Sequence, residues 1–553
     1  MNQNNIFKLL ILCIIAILLR SWHIDKPEGL WNDEYVAWYI ASQNDFLSFV
    51  SAFIKNCHMP FYYLYLKLWL LFFPDTDLSL RFSSVLPSIA AIPFMYLAGK
   101  ELKDEKTGFI AAIFCTISSF LIYFSQEVRI YSLLFLFTSY SLWAWIKCEK
   151  TFSQKNIINL LIANFLIIFT HTIGIVFVTF NLLALIIPKL KEKEITKKEG
   201  LIFALPYLFV LFIMSLVLIR LNSSNTLSQF WSTFNWSKVY YVFSDFLSPV
   251  QINIINTPKN LITSLIHKSS INFGFILFSF IPTLLSLGLI FKGLLEKNKA
   301  VNYYAVSCFM FFVALITAAM TGKIVLITKY CIEIYPFLII AIVFSLTSLK
   351  KPMMITLTSF LILINLSYII ISPNSAPKMT REEGNYAPVA LIRKAGLTKN
   401  DIIVLTYYDK HFFQRYMDTK KYNIIEITKY SYPYFLFNSG VRNIIRDTNL
   451  EYYEYFNEND TQFFANSLRY NIFDKMKSHT RVAFIFLNNV SFYSEADIHN
   501  ITKNIDEYKK TPFIFLVFSY LKNNLIKQAQ KSGLKLDLYI DAGAWSLISF
   551  EKE

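Results

Sequence analysis

The chain has little that could cross-link it or bind a metal through sulfur. Its cysteines number 6, none in a CxxC pair and none after residue 376. Cys13, Cys115, Cys148, Cys308 and Cys331 lie in or beside apolar runs, and Cys57 stands alone in a loop. That distribution excludes a disulfide framework and a cysteine metal site. The first apolar run, "NIFKLLILCIIAILLRSW" (5–22), lacks the small-residue cleavage site of a signal peptide and reads as an uncleaved anchor. No glycine-rich phosphate loop follows any strand-like segment, which argues against nucleotide binding. No internal repeat is visible, and no soluble module carries the basic face that nucleic acid requires.

What the sequence does have is apolar length. Of 553 residues, 55% are hydrophobic and 17% aromatic, and the mean hydropathy is +0.42. Such values belong to a polytopic membrane protein. Runs near the ~20 residues needed to cross a hydrocarbon core of roughly 30 Å recur from residue 5 to residue 372 and then stop. Residues 376–553 mix charged and apolar positions over the length of one soluble domain. The division is therefore 1–375 in the membrane and 376–553 outside it. The net charge of +15 reflects topology, because Lys and Arg gather in cytoplasmic loops.

Those loops orient the chain. "KLKEKEITKKE" (189–199), "KCEK" (147–150), "FKGLLEKNK" (291–299) and "LKKP" (349–352) are expected inside. Spans then fall at 127–146, 157–170, 173–188, 200–219, 272–291, 301–320, 331–348 and 353–372, with an outer loop at 220–271. If "KELKDEK" (100–106) is also inside, 80–99 and 107–125 span, and 23–79 forms a first outer loop. In that scheme "FYYLYLKLWLLFF" (61–73), with Lys67 in it, lies at the interface. The count is about eleven spans, with a twelfth at 61–73 as the alternative. The N-terminus is cytoplasmic, and 376–553 is extracytoplasmic at the cell membrane.

Polar groups scattered along the chain thus collect on the outer face. An acidic pair, Asp33-Glu34, follows the first span inside "WNDEYVAWY"; "HMPFYY" (58–63) opens the next apolar run. Then come "LRFSSVLPSIAAIPFMYLAGKEL" (80–102), "YFSQEVRIYSLL" (123–134) and "KYCIEIYPFLIIA" (329–341). In this order the set resembles the GT-C glycosyltransferases, specifically bacterial relatives of protein O-mannosyltransferases and lipid A aminoarabinose transferases. The likeness is fullest over residues 1 to about 190 and only general over 376–553. It implies a multispan enzyme taking sugar from a polyprenyl-phosphate donor on the outer face, with inversion. The acceptor is a lipid, a glycan or a protein.

The residue types suit that chemistry on their own account. A departing lipid phosphate needs fixed cations, and Arg pairs bidentately with phosphate oxygens. Arg129, Lys329 and Arg81 are the outer-face candidates; the plainer reading of each is an interface anchor. The attacking acceptor must lose a proton, for which a carboxylate is a suitable base. On an extended segment adjacent side chains alternate, so Asp33 is expected to face the reaction while Glu34 orients it, holds a metal or caps a helix. The capping alternative places Asn32 or Asp33 at the N-cap of a short helix. His58, Glu127, Tyr131 and Tyr330 are the substrate-binding candidates. Glu127 is alternatively an ion-pair partner of Arg129, and His171 is expected to make a helix–helix hydrogen bond. A divalent cation is left open, with Asp33 and Glu34 as its only nominated ligands.

In the outer domain, 401–408, 422–427, 481–487, 513–519, 535–540 and 544–550 read as strands. Helical patterns at 494–510 and 521–533 suggest an α/β domain with a mostly parallel sheet. Two rival functions remain. A transporter or flippase predicts repeats, broken helices and mid-membrane charges; a non-catalytic receptor leaves the one-sided polar set without a purpose.

Overall fold

A computed structural model describes residues 3–25, 29–55, 59–201, 205, 234, 236–248, 280–321, 326–371, 386–405, 413–426, 472–473, 476, 478, 480–487, 525–542 and 545–552. The chain divides into two compact units. One comprises Met1–Asp25 and Val36–Met379, the other Lys26–Tyr35 and Thr380–Glu553. The second unit therefore includes the short stretch that carries the acidic pair.

The first unit is helical. Its elements are α1 (Gln3–Ser21), α2 (Asn32–Ala41, begun in the second unit), α3 (Phe46–Lys55), α4 (Pro60–Phe72) and α5 (Asp77–Leu102). They continue with α6 (Glu105–Ile117), α7 (Ser119–Ser125), α8 (Tyr131–Lys150), α9 (Gln154–Thr170) and α10 (Gly174–Lys191). Further on come α11 (Ser237–Leu247), α12 (Ile281–Leu295), α13 (Lys299–Met320), a 3-10 segment (Thr328–Ile334), α14 (Tyr335–Thr347) and α15 (Lys351–Ile371). α5 packs on α6 and α8, α8 on α9, α10 on α13, and α12 on α14.

Sidedness in α1 follows membrane rules. Phe7, Leu10, Ile14 and Leu18 are exposed at helical spacing, while Asn5 and Arg20 are buried. Apolar groups face outward and polar ones inward because lipid, not water, is the solvent. α5 and α6 meet closely at paired glycines. A Cβ on Gly99 would lie 2.9 Å from the Gly108 backbone, and one on Gly108 would lie 2.5 Å from the Tyr96 carbonyl oxygen.

Among the described residues five helices are long and apolar enough to cross a membrane, or six with the bent pair α6–α7 taken as one. Shorter apolar helices occupy Gln154–Thr170, Ile281–Leu295 and Lys351–Leu366. The expected span at 200–219 lies almost entirely outside the described residues, as does the first part of that at 272–291. α4 has 13 residues, about 20 Å of helix, short of a ~30 Å core. Its Lys67 donates to the Ala41 carbonyl at 3.4 Å and to that of Gln43, covering the carbonyl end of α2.

The expected continuous span at 107–125 is instead broken at Ser118 by a 53° bend. Ser118 caps α7, accepting from the Leu121 amide at 3.2 Å. Carbonyls freed at the end of α6 are taken by Arg20, whose guanidinium donates to Thr116 O and Cys115 O at 3.0 Å each. Its Nε donates to Ser88 Oγ at 2.8 Å. A fully buried charge is tolerated there because its donors are used.

In the second unit, α16 (Tyr386–Lys394) packs against a five-stranded sheet of order β2-β1-β3-β5-β4. The strands are β1 (Ile402–Leu405), β2 (Asn423–Glu426), β3 (Arg481–Leu487), β4 (Leu534–Ala542) and β5 (Trp545–Lys552). β1 pairs in parallel with β2 and β3, in register Ile403↔Ile424 and Ile403↔Ala483; β5 runs antiparallel to β3 and β4. Among the described strands the pairing is thus mixed, two ladders parallel and two antiparallel, where a mostly parallel sheet was expected. Only residues 543–544 separate β4 from β5, and so short a link permits only a hairpin. The expected strand 513–519 and helix 494–510 lie outside the described residues.

Candidate functional site

The site begins at the turn between α7 and α8. Gln126 fixes that turn to the end of α1, its side-chain amide donating to Arg20 O at 3.0 Å and to Trp22 O at 2.6 Å. Arg129 N donates to Glu127 O at 2.8 Å, and the same carbonyl accepts from Ser84 Oγ. One face of α5 thus serves the turn and its surroundings at helical spacing. Arg81 donates to Ile24 O at 3.3 Å, Ser84 holds Glu127, and Ser88 accepts from Arg20. Glu127, Arg129 and Arg81 are all buried.

Tyr131, at the start of α8, is buried against Phe124, ring centroids 4.8 Å apart and edge to face. Arg129 lies over its ring with Cζ 5.9 Å from the centroid, and Lys329 Nζ also lies 5.9 Å from it. Tyr131 Oη is buried with no hydrogen-bond partner among the described residues. Two cations far apart in sequence thus each lie within cation–π range of one aromatic ring.

Lys329 is delivered by the 3-10 segment, which is tied down on both sides. Thr328 Oγ1 donates to Asp245 Oδ2 of α11 at 2.5 Å. Glu333 Oε1 meets Nδ1 of His171, the C-cap residue of α9, at 2.7 Å. Tyr330 lies between these ties, its ring centroid 5.8 Å from Lys329 Nζ and 6.2 Å from the His171 ring. Glu333 is wholly buried, and its Oε2 has no hydrogen-bond partner among the described residues. The hydrogen bond expected of His171 is present. Glu333, Asp245 and Arg20 were not singled out from sequence. The available signal was a lone charge inside an apolar run, clearest for Glu333 in "YCIEIYP".

The acidic pair belongs to the second unit. It occupies the first turn of α2 rather than an extended segment, so Asp33 and Glu34 diverge by about 100° rather than alternating. Neither Asn32 nor Asp33 is the N-cap, because the helix starts at Asn32 and leaves Trp31 in that place. Glu34 Oε2 instead accepts from the Trp31 amide at 3.2 Å, the returning arm of a capping box. Glu34 is buried, whereas Asp33 is half-buried. His58 lies outside the described residues. Among the described residues no group of three or more His, Cys, Asp and Glu is arranged to hold a metal ion.

No protein-family model matches the chain, and no curated protein is significantly similar to it. Solved structures do match. ArnT from Cupriavidus metallidurans in the apo state aligns over 98% of this chain and 97% of its own, with 10% identity and a TM-score of 0.50. The fold is that of ArnT. The same enzyme bound to undecaprenyl phosphate gives a TM-score of 0.49 at 10% identity, over 98% of this chain and 97% of that one. The apo oligosaccharyltransferase of Archaeoglobus fulgidus gives 0.48 at 10% identity, over 99% and 88%. What this chain shares with ArnT is the fold.

Proposed function

We propose that this chain is a membrane glycosyltransferase. It moves a sugar from a polyprenyl-phosphate donor to an acceptor on the outer face of the membrane. The observation that carries this reading is the meeting of Arg129 and Lys329 at the Tyr131 ring. Two positive charges around one aromatic ring suit a phosphate whose charge grows as the sugar leaves it. Asp33 is the assigned base. The acceptor oxygen or nitrogen attacks the anomeric carbon, its proton passes to the Asp33 carboxylate, and the carbon–oxygen bond to phosphate breaks with its electron pair. A single displacement inverts the anomeric centre. Glu127, Tyr330 and Arg81 are assigned to substrate and phosphate binding, and Glu34 to holding the helix turn that presents Asp33.

One feature belongs to the transporter reading: the broken helix α6–α7. Its freed carbonyls, however, are occupied by Arg20, whereas a transport site needs such groups for its cargo. The experiment that decides supplies purified protein with polyprenyl-phosphate donors labelled in the sugar. A new glycosidic bond of inverted configuration supports the enzyme. Labelled donor that crosses a liposome intact, with no transfer to any acceptor, overturns it.

A further inference from the structure

The outer domain contains more than its own core. Residues 26–35 belong to the same compact unit as Thr380–Glu553, and the contacts responsible are specific. Tyr416 Oη accepts a hydrogen bond from the Leu30 amide at 2.7 Å, and Leu30 is fully buried. Gly29 adopts φ +78°; a Cβ there would lie 2.6 Å from Tyr416 Oη and 2.8 Å from Tyr386 Cβ. Only glycine allows both the left-handed backbone and the close approach. The two tyrosines stand edge to face, centroids 5.4 Å apart, and pack against the domain core. Arg393 fixes both, donating to Tyr416 O at 2.9 Å and to Tyr386 Oη at 3.3 Å.

Directly after Leu30 the amide of Trp31 is held by Glu34, and Asp33 sits in the turn so closed. The connection runs without a gap from Arg393 through Tyr416 to Leu30, Trp31 and the acidic pair. We infer that the outer domain acts as a clamp on the first outer loop and that Tyr416 is a positioning residue for Asp33. This rests on the function proposed above only for what the positioned carboxylate does. The clamp itself is a statement about backbone order at residues 29–35. A general base must be held to a fraction of an ångström, and small misplacements reach the rate before they reach binding.

The test uses the full-length protein in detergent or nanodiscs, with Tyr416→Phe, which removes one hydroxyl and keeps the ring. Two quantities are measured: hydrogen exchange of the peptide covering 29–38, and steady-state transfer with the lipid-linked donor. We expect the Leu30 amide to exchange faster and kcat to fall about 10–100-fold, with the donor KM and melting temperature unchanged. Gly29→Ala, whose Cβ would collide with Tyr416 Oη from the loop side, should reproduce the kcat loss while leaving the Tyr416 hydroxyl in the sequence. Unchanged exchange in Tyr416→Phe overturns the clamp whatever the enzyme does. Faster exchange with wild-type kcat overturns the positioning role, leaving the contact purely structural. A wild-type protein that transfers no sugar while the exchange result holds overturns the proposed function and leaves the clamp in place.

Discussion

Arg129 and Lys329 approach one ring, that of Tyr131, to the same distance of 5.9 Å. The residues come from different parts of the chain, one from the α7–α8 turn and the other from the 3-10 segment before α14. If they serve a lipid phosphate together, the arginine's geometry should matter as well as its charge. Arg129→Lys keeps charge and loses the bidentate fork; Arg129→Ala loses both. Steady-state transfer should fall about 10²–10³-fold for Ala and less for Lys. Tyr131→Phe, which keeps the ring, should be milder than Tyr131→Leu, which removes the ring both cations approach. Wild-type turnover in both arginine variants would return Arg129 to the role of an interface anchor.

The His171–Glu333 pair should be a fixing point for Lys329. Glu333 has no exposed surface, and its Oε1 depends on His171 at 2.7 Å. His171→Ala leaves the buried Glu333 side chain without that hydrogen-bond partner, and a buried polar group left unsatisfied costs about 1–3 kcal/mol. Thermal unfolding in detergent should show a clear loss for His171→Ala. The double variant His171→Leu/Glu333→Leu should recover most of it, because the unsatisfied buried polar group is gone. A double variant as unstable as the single one would show that the site needs the pair for more than satisfying that group.

Much of this arrangement was legible in the sequence, but as separate words. Arg129, Lys329, Tyr131 and Tyr330 stand out as polar residues at the ends of apolar runs. Their meeting point does not, since nothing local to "SQEVRIY" refers to "TKYCIEIY". Glu333 is hidden by its neighbours: within an apolar run it reads as part of a span until its partner His171, 162 positions away, is known. The turn of α2 was misplaced because Trp31 is a poor N-cap by residue type, and the cap is supplied from Glu34 instead. Grouping of residues 26–35 with the outer domain rests on a left-handed glycine and a tyrosine at 416. Long-range contacts of that kind leave no periodic trace.

In the second unit an acid response is expected at Asp401. Burial pushes this carboxyl up, but hydrogen bonds from the Thr398 amide and hydroxyl and from the Arg481 side chain and amide outweigh it and hold it below its ordinary 3.8. A depressed folded-state value means the stabilisation is complete above the unfolded-state value near 3.8. It is lost as pH falls further, through the folded-state value. Protection factors in β1 and β3 of the full-length protein, corrected for the intrinsic pH dependence of amide exchange, should therefore hold steady at neutral pH and fall once the pH drops below about 4. Asp401→Asn should exchange faster at neutral pH and show a flatter acid response. Equal acid profiles for the two proteins would place the sensitive group elsewhere.

Orientation supports the whole scheme and is measurable without activity. In a Cys57→Ser background, a cysteine at Lys399 of the second unit should react with an impermeant thiol reagent on intact cells. One at Lys197, in the basic 189–199 loop, should be protected until the membrane is opened. Both positions are exposed in the structure, so access depends on the side of the membrane and not on burial. Reversed labelling would put the acidic pair and its acceptor on opposite sides of the membrane.

The acidic pair itself separates two jobs. Glu34 is buried and bonded to the Trp31 amide, whereas Asp33 is half-buried beside it in the same turn. A glutamine at 34 can still accept from that amide, so Glu34→Gln should keep most of the fold and much of the rate. Glu34→Ala loses the cap, about 0.5–2 kcal/mol of local stability, and should loosen the turn. Asp33→Asn preserves size and hydrogen bonding but cannot accept the acceptor's proton at neutral pH. Transfer should therefore be almost abolished in Asp33→Asn, while donor affinity and melting temperature match the wild type. The comparison is made with purified protein and a lipid-linked donor, under single-turnover conditions so that product release does not mask the chemical step. Undiminished transfer by Asp33→Asn would remove it as the base, leave the pair as a helix-start device, and pass the assignment to Glu127, the buried carboxylate beside Arg129.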